Sequence, residues 1–233
     1  MNLTQDSIRA FIDHTNVKAD ATAEAIKELC DEAKEFGFHS VCVTPYQVKD
    51  ARKFLGENSK IELICVVGFP YGFTTTEEKV LEAKTATADG ATEIDMVQNI
   101  GAVRDGVWDY VKSDITAVAK AIAPVGLKVI MEIGFLTEKE LKKACLVAKG
   151  AGAAFVKTST GYGPRTPTAQ DIRIMKDAVG DEMGVKASGG IHTFAQAKAM
   201  LEAGANRIGT SSGLEIIGKE NKEKKSGQSG SNE

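Results

Sequence analysis

The chain has no CxxC pair, no cluster of like charge, and no apolar run near the roughly 18 residues that a membrane-spanning helix needs. Each absence closes off a class of function. Four cysteines, Cys30, Cys42, Cys65 and Cys145, stand singly in helix-like or strand-like segments, which points to reduced thiols rather than a disulfide framework or a zinc site. The N-terminal MNLTQDSIRA lacks the charged-then-apolar pattern of a leader, so a cytoplasmic protein is expected. Lysine and arginine number 29 against 32 acidic residues, scattered along the chain, and the net charge of −3 makes neither nucleic acid nor an anionic membrane an expected partner. His14, His39 and His192 are too widely spaced to form a helical ligand pair, and no metal is expected. There is no GxxxxGK[ST] segment, and the first predicted strand runs into NVKADAT rather than a glycine fingerprint. No nucleotide site or cofactor is expected.

What is present is a regular alternation. Short apolar, β-branched runs recur at Phe11 to Thr15, Ser40 to Thr44, Ile61 to Phe69, Glu93 to Val97, Lys128 to Ile133, Ala154 to Thr158, Val185 to Ser188 and Arg207 to Thr210. Between them apolar residues return at helical spacing, as in Ile26, Leu29, Cys30, Ala33, Phe36 and in Leu141, Ala144, Cys145, Ala148. Thr74 with Glu77 and Thr137 with Glu140 fit the capping box that opens a helix. Nearly continuous apolar strands joined by helices belong in a covered parallel sheet, and eight such units predict a (β/α)8 TIM barrel, with an open doubly wound sheet as the rival. One domain over 1–217 is expected, followed by a polar composition rich in lysine, glycine and serine from Gly218, GKENKEKKSGQSGSNE, that predicts a disordered tail over 218–233.

The residues that suggest chemistry are two lysines, Lys157 in AAFVKTSTG and Lys186 in GVKASGG, 29 positions apart and each at the end of a predicted strand. That spacing is one strand-loop-helix unit, so adjacent strands carry both into one pocket. Barrel enzymes draw their reacting groups from such strand ends. Making half of an ordinary lysine population neutral at pH 7 costs about 4.6 kcal/mol, and a second ammonium at roughly 5 Å supplies about 3.3 kcal/mol of that at an effective dielectric near 20. One lysine then acts as a nucleophile while the other stays charged. Asp95 in EIDMV, with Asp13, Cys42 and Glu132, completes a ring of polar groups at strand ends. A purely structural reading stands beside this one, in which each lysine is a salt-bridge partner for Asp95 or Glu132.

After the seventh predicted strand comes Ser188, Gly189, Gly190, and after the eighth Gly209, Thr210, Ser211, Ser212, Gly213, leading into a short helical LEIIG. Glycines and hydroxyls in these two loops form the usual phosphate cradle of a barrel, although glycines that merely turn the chain give the same pattern.

Seven segments, FIDHT, VCVTP, VVGFP, EIDMVQNIGA, FVKTSTGYG, VKASGGI and IGTSSG, in this order and across nearly the whole chain before the tail, resemble the deoxyribose-phosphate aldolase family. The resemblance implies a (β/α)8 barrel and the metal-free, reversible cleavage of 2-deoxy-D-ribose 5-phosphate to D-glyceraldehyde 3-phosphate and acetaldehyde. It implies Lys157 as the Schiff-base lysine, Lys186 as the second lysine and Asp95 as the proton relay. Gly161, Gly189, Gly190, Ser211 and Ser212 fall on positions similar to the family's phosphate-contacting loops, and Asp13 and Cys42 fall near the substrate. Asn16 and Tyr71 depart from the leucines more often found at their positions. Other readings are a different phosphosugar barrel, either another Schiff-base aldolase or an isomerase using Asp95 and Lys186 as acid and base, and a non-catalytic phosphometabolite-binding barrel. Partners are then small phosphosugars and aldehydes, and the outer helices leave room for a homo-oligomer.

Overall fold

The computed structural model describes residues 3–219. Eight parallel strands close into a barrel in sequential order: β1 Ile12–Thr15, β2 Ser40–Val43, β3 Glu62–Val67, β4 Glu93–Val97, β5 Gly126–Ile130, β6 Phe155–Lys157, β7 Gly184–Ser188 and β8 Arg207–Thr210. The helices around it are α1 Ala23–Phe36, α2 Val48–Leu55, α3 Thr76–Ala88, α4 Ile100–Arg104, α5 Trp108–Ile122, α6 Glu138–Gly150, α7 Ala169–Val179, α8 Phe194–Glu202 and α9 Gly213–Ile216. The predicted TIM barrel is the fold that forms, and all eight predicted strands are present.

Alternation along each strand divides the interior into two environments. On β4, Ile94 and Met96 join the large apolar layer between strands and helices, and so do Val185 and Ala187 on β7 and Leu127 and Val129 on β5. The buried stripes of α1 and α6 meet that layer through the residues picked out by helical spacing: Ile26, Leu29, Cys30 and Ala33, then Leu141, Ala144, Cys145 and Ala148. All four cysteines are buried and free. The residues of opposite parity, Asp13, Asp95, Lys128, Lys157, Lys186 and Arg207, are buried too, but none belongs to the apolar layer.

Several boundaries differ from the sequence reading. Phe11 ends a 3-10 turn, Ser7–Phe11, and does not begin the first strand. The fifth strand starts two residues early and stops at Ile130, because Glu132 takes a left-handed conformation, φ 51°, that ends the extended run. The box opening α3 is Thr75 with Glu78, one residue later than expected. TTTEE offers more than one threonine-glutamate pair, and Thr76 is held instead by its hydroxyl donating to Asp114 Oδ1 at 2.8 Å. Thr137 and Glu140 cap α6 as expected. Gly218 and Lys219 still belong to the fold, since the Lys219 N–H donates to the Leu214 carbonyl. The remainder of the predicted tail lies outside the described residues.

Candidate active site

Strand register builds the site. Lys157 and Lys186 pair across β6 and β7, Lys186 pairs with Arg207 across β7 and β8, and Asp95 pairs with Lys128 across β4 and β5. Since these residues share inward parity, the register joins their five strands in one buried charged cluster, to which Asp13 adds β1. Asp95 is its centre. Lys157 Nζ and Lys186 Nζ each lie 2.8 Å from the same Asp95 oxygen, Oδ2, so at most twice that distance separates the two nitrogens. Lys128 approaches the other oxygen, Oδ1, at 3.3 Å, and pairs with Glu93 at 2.7 Å. Lys186 also reaches Asp13 Oδ2 at 2.6 Å, and Asp13 Oδ1 accepts from the Ser40 hydroxyl at 2.7 Å and from Arg207.

The charges can be counted. Four cations, Lys128, Lys157, Lys186 and Arg207, face three anions, Asp13, Glu93 and Asp95, in one connected set of ion pairs. An apolar barrel interior would avoid the desolvation that such a cluster costs, so its presence is a sign of function rather than of stability. Burial alone pushes the Asp95 carboxyl up, but Lys157, Lys186 and Lys128 outweigh it and hold the group well below the usual carboxylate range. Asp13 behaves alike, with burial opposed by Lys186, Arg207 and Lys128. For Lys186 burial acts downward, and Asp13 and Asp95 more than reverse it, leaving the amine above the ordinary lysine range. Lys186 is therefore a fixed ammonium at neutral pH.

Only one of the two lysines opens onto space. A cavity of about 520 Å³ sits at the C-terminal ends of the strands, and Lys157 is on its wall while the fully buried Lys186 is not. The same wall carries Val66 and Phe69 on one side and Gly161, Gly189, Gly190 and Ser211 on another. Gly190, at φ 74°, has no room for a side chain, since a Cβ would fall 2.2 Å from Thr166 Cγ2. The two loops are tied together by Thr210, whose hydroxyl donates to the Ile191 carbonyl at 2.7 Å and accepts from the Ser212 N–H at 2.8 Å.

The model of the DeoC/LacD family of aldolases matches residues 8–219 of the chain. This chain belongs to the DeoC/LacD aldolase family. A relative from Thermococcus gammatolerans, named deoxyribose-phosphate aldolase, is 56% identical over 213 residues, covering 90% of this chain and 95% of its own length. Another of that name from Methanothermobacter thermautotrophicus is 51% identical over 215 residues, covering 92% and 95%. The solved structure of deoxyribose phosphate aldolase from Aeropyrum pernix, described as a unique tetramer, superimposes with a TM-score of 0.86 at 30% identity over 92% of this chain and 91% of that one.

Within this aldolase barrel five of the predicted site residues are not on the cavity wall: Lys186 and Asp95, which form the cluster behind Lys157, and Asp13, Cys42 and Ser212. Asp13 is fully buried, and its oxygens pair with Lys186, Arg207 and Ser40. Cys42 packs into a small apolar cluster with Ile64 and Val66, and burial pushes its thiol up. Ser212 turns its N–H back to Thr210 and places its hydroxyl 3.0 Å from His192 Nδ1. Conversely, sequence reasoning passed over Lys128, Arg207 and Glu93. A signal for them exists, since each is a charged residue set among apolar residues at the same parity as Lys157, Lys186 or Asp95. Glu132, expected in the ring of polar groups, faces the β6–α7 loop. Its carboxylate accepts from the Thr160 N–H at 3.1 Å and from the Thr160 hydroxyl.

Proposed function

We propose that the protein reversibly cleaves 2-deoxy-D-ribose 5-phosphate to D-glyceraldehyde 3-phosphate and acetaldehyde through a Schiff base on Lys157. The observation that carries the reading is the shared Asp95 oxygen, which joins a lysine open to the cavity to one that is sealed and charged. In the cleavage direction the free amine of Lys157 attacks the substrate aldehyde, and loss of water leaves an iminium. That iminium has the same charge as the ammonium it replaces, so its pairing with Asp95 persists. The carbon-carbon bond then breaks as the substrate's C3 hydroxyl gives its proton through water to Asp95, the bond's electrons move toward the iminium nitrogen, and D-glyceraldehyde 3-phosphate departs, leaving a neutral enamine. With Lys157 neutral the buried cluster holds three cations and three anions. The one excess positive charge of the resting cluster therefore favours the very step that places electrons on that nitrogen.

Asp95 is a carboxylate in the ground state and serves as a transient carrier. It takes the proton that Lys157 gives up and passes protons, with Lys186 and water, toward the enamine carbon. Hydrolysis then frees acetaldehyde and regenerates the amine. The glycine loops after β7 and β8, with Gly161 and Ser211, take the phosphate, and Ser212 assists from behind through His192. An isomerase using Asp95 and Lys186 without a covalent step fits less well, because Lys186 does not reach the cavity.

The decisive test is borohydride reduction in the presence of acetaldehyde, followed by mass spectrometry. A two-carbon adduct on Lys157 with loss of activity is expected; an unlabelled, fully active protein overturns the scheme. Activity is expected to persist in a chelator, and loss restored by added metal would contradict the metal-free reading. Among the described residues no helix is long and apolar enough to cross a membrane. We take the protein to act in the cytoplasm and to form a homo-oligomer, which light scattering on the purified chain would test.

A further inference from the structure

Tyr162 has no part in the chemistry above, yet from one of the loops that surround the cavity it touches two others. It projects from the β6–α7 loop, five residues after Lys157. Its hydroxyl donates to the Val17 carbonyl in the β1–α1 loop at 3.2 Å, and its ring stands edge-on to Phe69 of the β3–α3 loop, 5.5 Å between centroids and 86° between planes. All three residues line the cavity that holds Lys157. Phe69 in turn packs on the apolar cluster of Cys42, Ile64 and Val66, so the cavity has one hydrophobic side, from Val66 through Phe69 to Tyr162, facing the glycine loops on the other.

The position of Tyr162 is enforced. Its N–H donates to Thr160 Oγ1 at 3.0 Å, and Thr160 is gripped by Glu132, a non-glycine residue in the left-handed region. Backbone held in that region persists only where its surroundings over-determine it, and such residues cluster at functional sites. On either side of the tyrosine stand Gly161, at φ 93°, and Gly163, where a Cβ would fall 2.4 Å from Glu132 Oε1. Tyr162 itself adds nothing to the apolar layer, being half exposed and outside it.

We infer that Tyr162 is the specificity-determining residue for the carbonyl compound that Lys157 activates. By strapping the mouth to Val17 and Phe69 it closes the apolar side of the cavity, leaving space beside the iminium for a two-carbon unit and excluding longer chains. Glu132 is a positioning residue that acts through Thr160 to hold the strap in place. This rests on the Schiff-base reading of Lys157.

The test compares acetaldehyde with butanal as the donor, added to D-glyceraldehyde 3-phosphate, in the wild type, Tyr162→Phe and Tyr162→Ala. A pocket that loses contact with one or two methylene-sized groups changes discrimination by about tenfold or more. The butanal to acetaldehyde ratio of kcat/KM is therefore expected to rise about tenfold in Tyr162→Ala, which loses both ring and hydroxyl contacts, and to a lesser extent in Tyr162→Phe. Glu132→Gln, whose amide oxygen still accepts from Thr160, is expected to stay near the wild-type ratio, and Glu132→Ala to approach Tyr162→Ala. Unchanged ratios in variants that are labelled by borohydride and turn over would overturn this inference alone. A wild type that is neither labelled nor active would overturn the Schiff-base reading and this inference with it.

Discussion

Replacing Lys186 by leucine tests the electrostatic core of the proposal. The substitution removes a sealed ammonium whose nitrogen shares Asp95 Oδ2 with Lys157 at 2.8 Å on each side. At a separation of about 5 Å and an effective dielectric of about 20, that like charge acts on Lys157 by about 3 kcal/mol. The charge count moves the same way. Without Lys186 the cluster is balanced, three against three, when Lys157 is charged, so the variant favours the ammonium over the nucleophilic amine. Asp13 keeps Arg207 and Asp95 keeps Lys128, so neither carboxylate is left without a cation, and the fold is expected to survive with a lowered melting temperature. The assay is the rate of borohydride-dependent labelling of Lys157 by acetaldehyde across a pH series, with circular dichroism to verify folding. Labelling at pH 7 is expected to slow, and turnover to fall by about a hundredfold. A folded variant with the wild-type profile would refute the claim that Lys186 governs the reactivity of Lys157.

Further outcomes follow from the same geometry. Asp95→Asn leaves four cations against two anions, so Lys157 should still be labelled while steady-state turnover falls by about 10²- to 10⁴-fold, the range for a lost proton carrier; loss of labelling and turnover in equal measure would argue against a relay role. Gly190→Ala puts a methyl group against Thr166 in a backbone conformation that favours glycine, and KM for deoxyribose phosphate is expected to rise about tenfold with acetaldehyde labelling unchanged. A variant with wild-type KM would remove this loop from phosphate binding. The depressed Asp13 carboxyl contributes stability that is present in full above about pH 4 and is lost as pH falls toward its folded value. Asp13→Asn should therefore melt lower than wild type at pH 7 yet lose less on going to about pH 3, and parallel losses in thermal scans would show that Asp13 is not the linked group.

Lys157, Lys186 and Asp95 were legible because a charged residue within an otherwise apolar strand has few structural uses, and the spacing of the two lysines matches one barrel unit. Glu132 was visible as a polar residue at a strand end, but its left-handed backbone was not, since nothing in VIMEIG announces that the chain will turn there. For Asp13 and Cys42 the resemblance implied a place near the substrate, and the structure puts both behind the cavity wall. How deep each residue sits along the barrel axis depends on register across eight strands, which is a property of no single segment.

Local pattern alone determined the barrel and its helices, because period-two and helical spacing of apolar residues describe how each segment buries its own surface. It also determined which residue types were available for chemistry. The tertiary structure alone decided that six strands contribute to one charged cluster, that it carries one more cation than anion, and that a single lysine opens onto the cavity. Those outcomes depend on distances between residues as remote in the chain as Asp13 and Arg207, and only closure of the barrel brings them together.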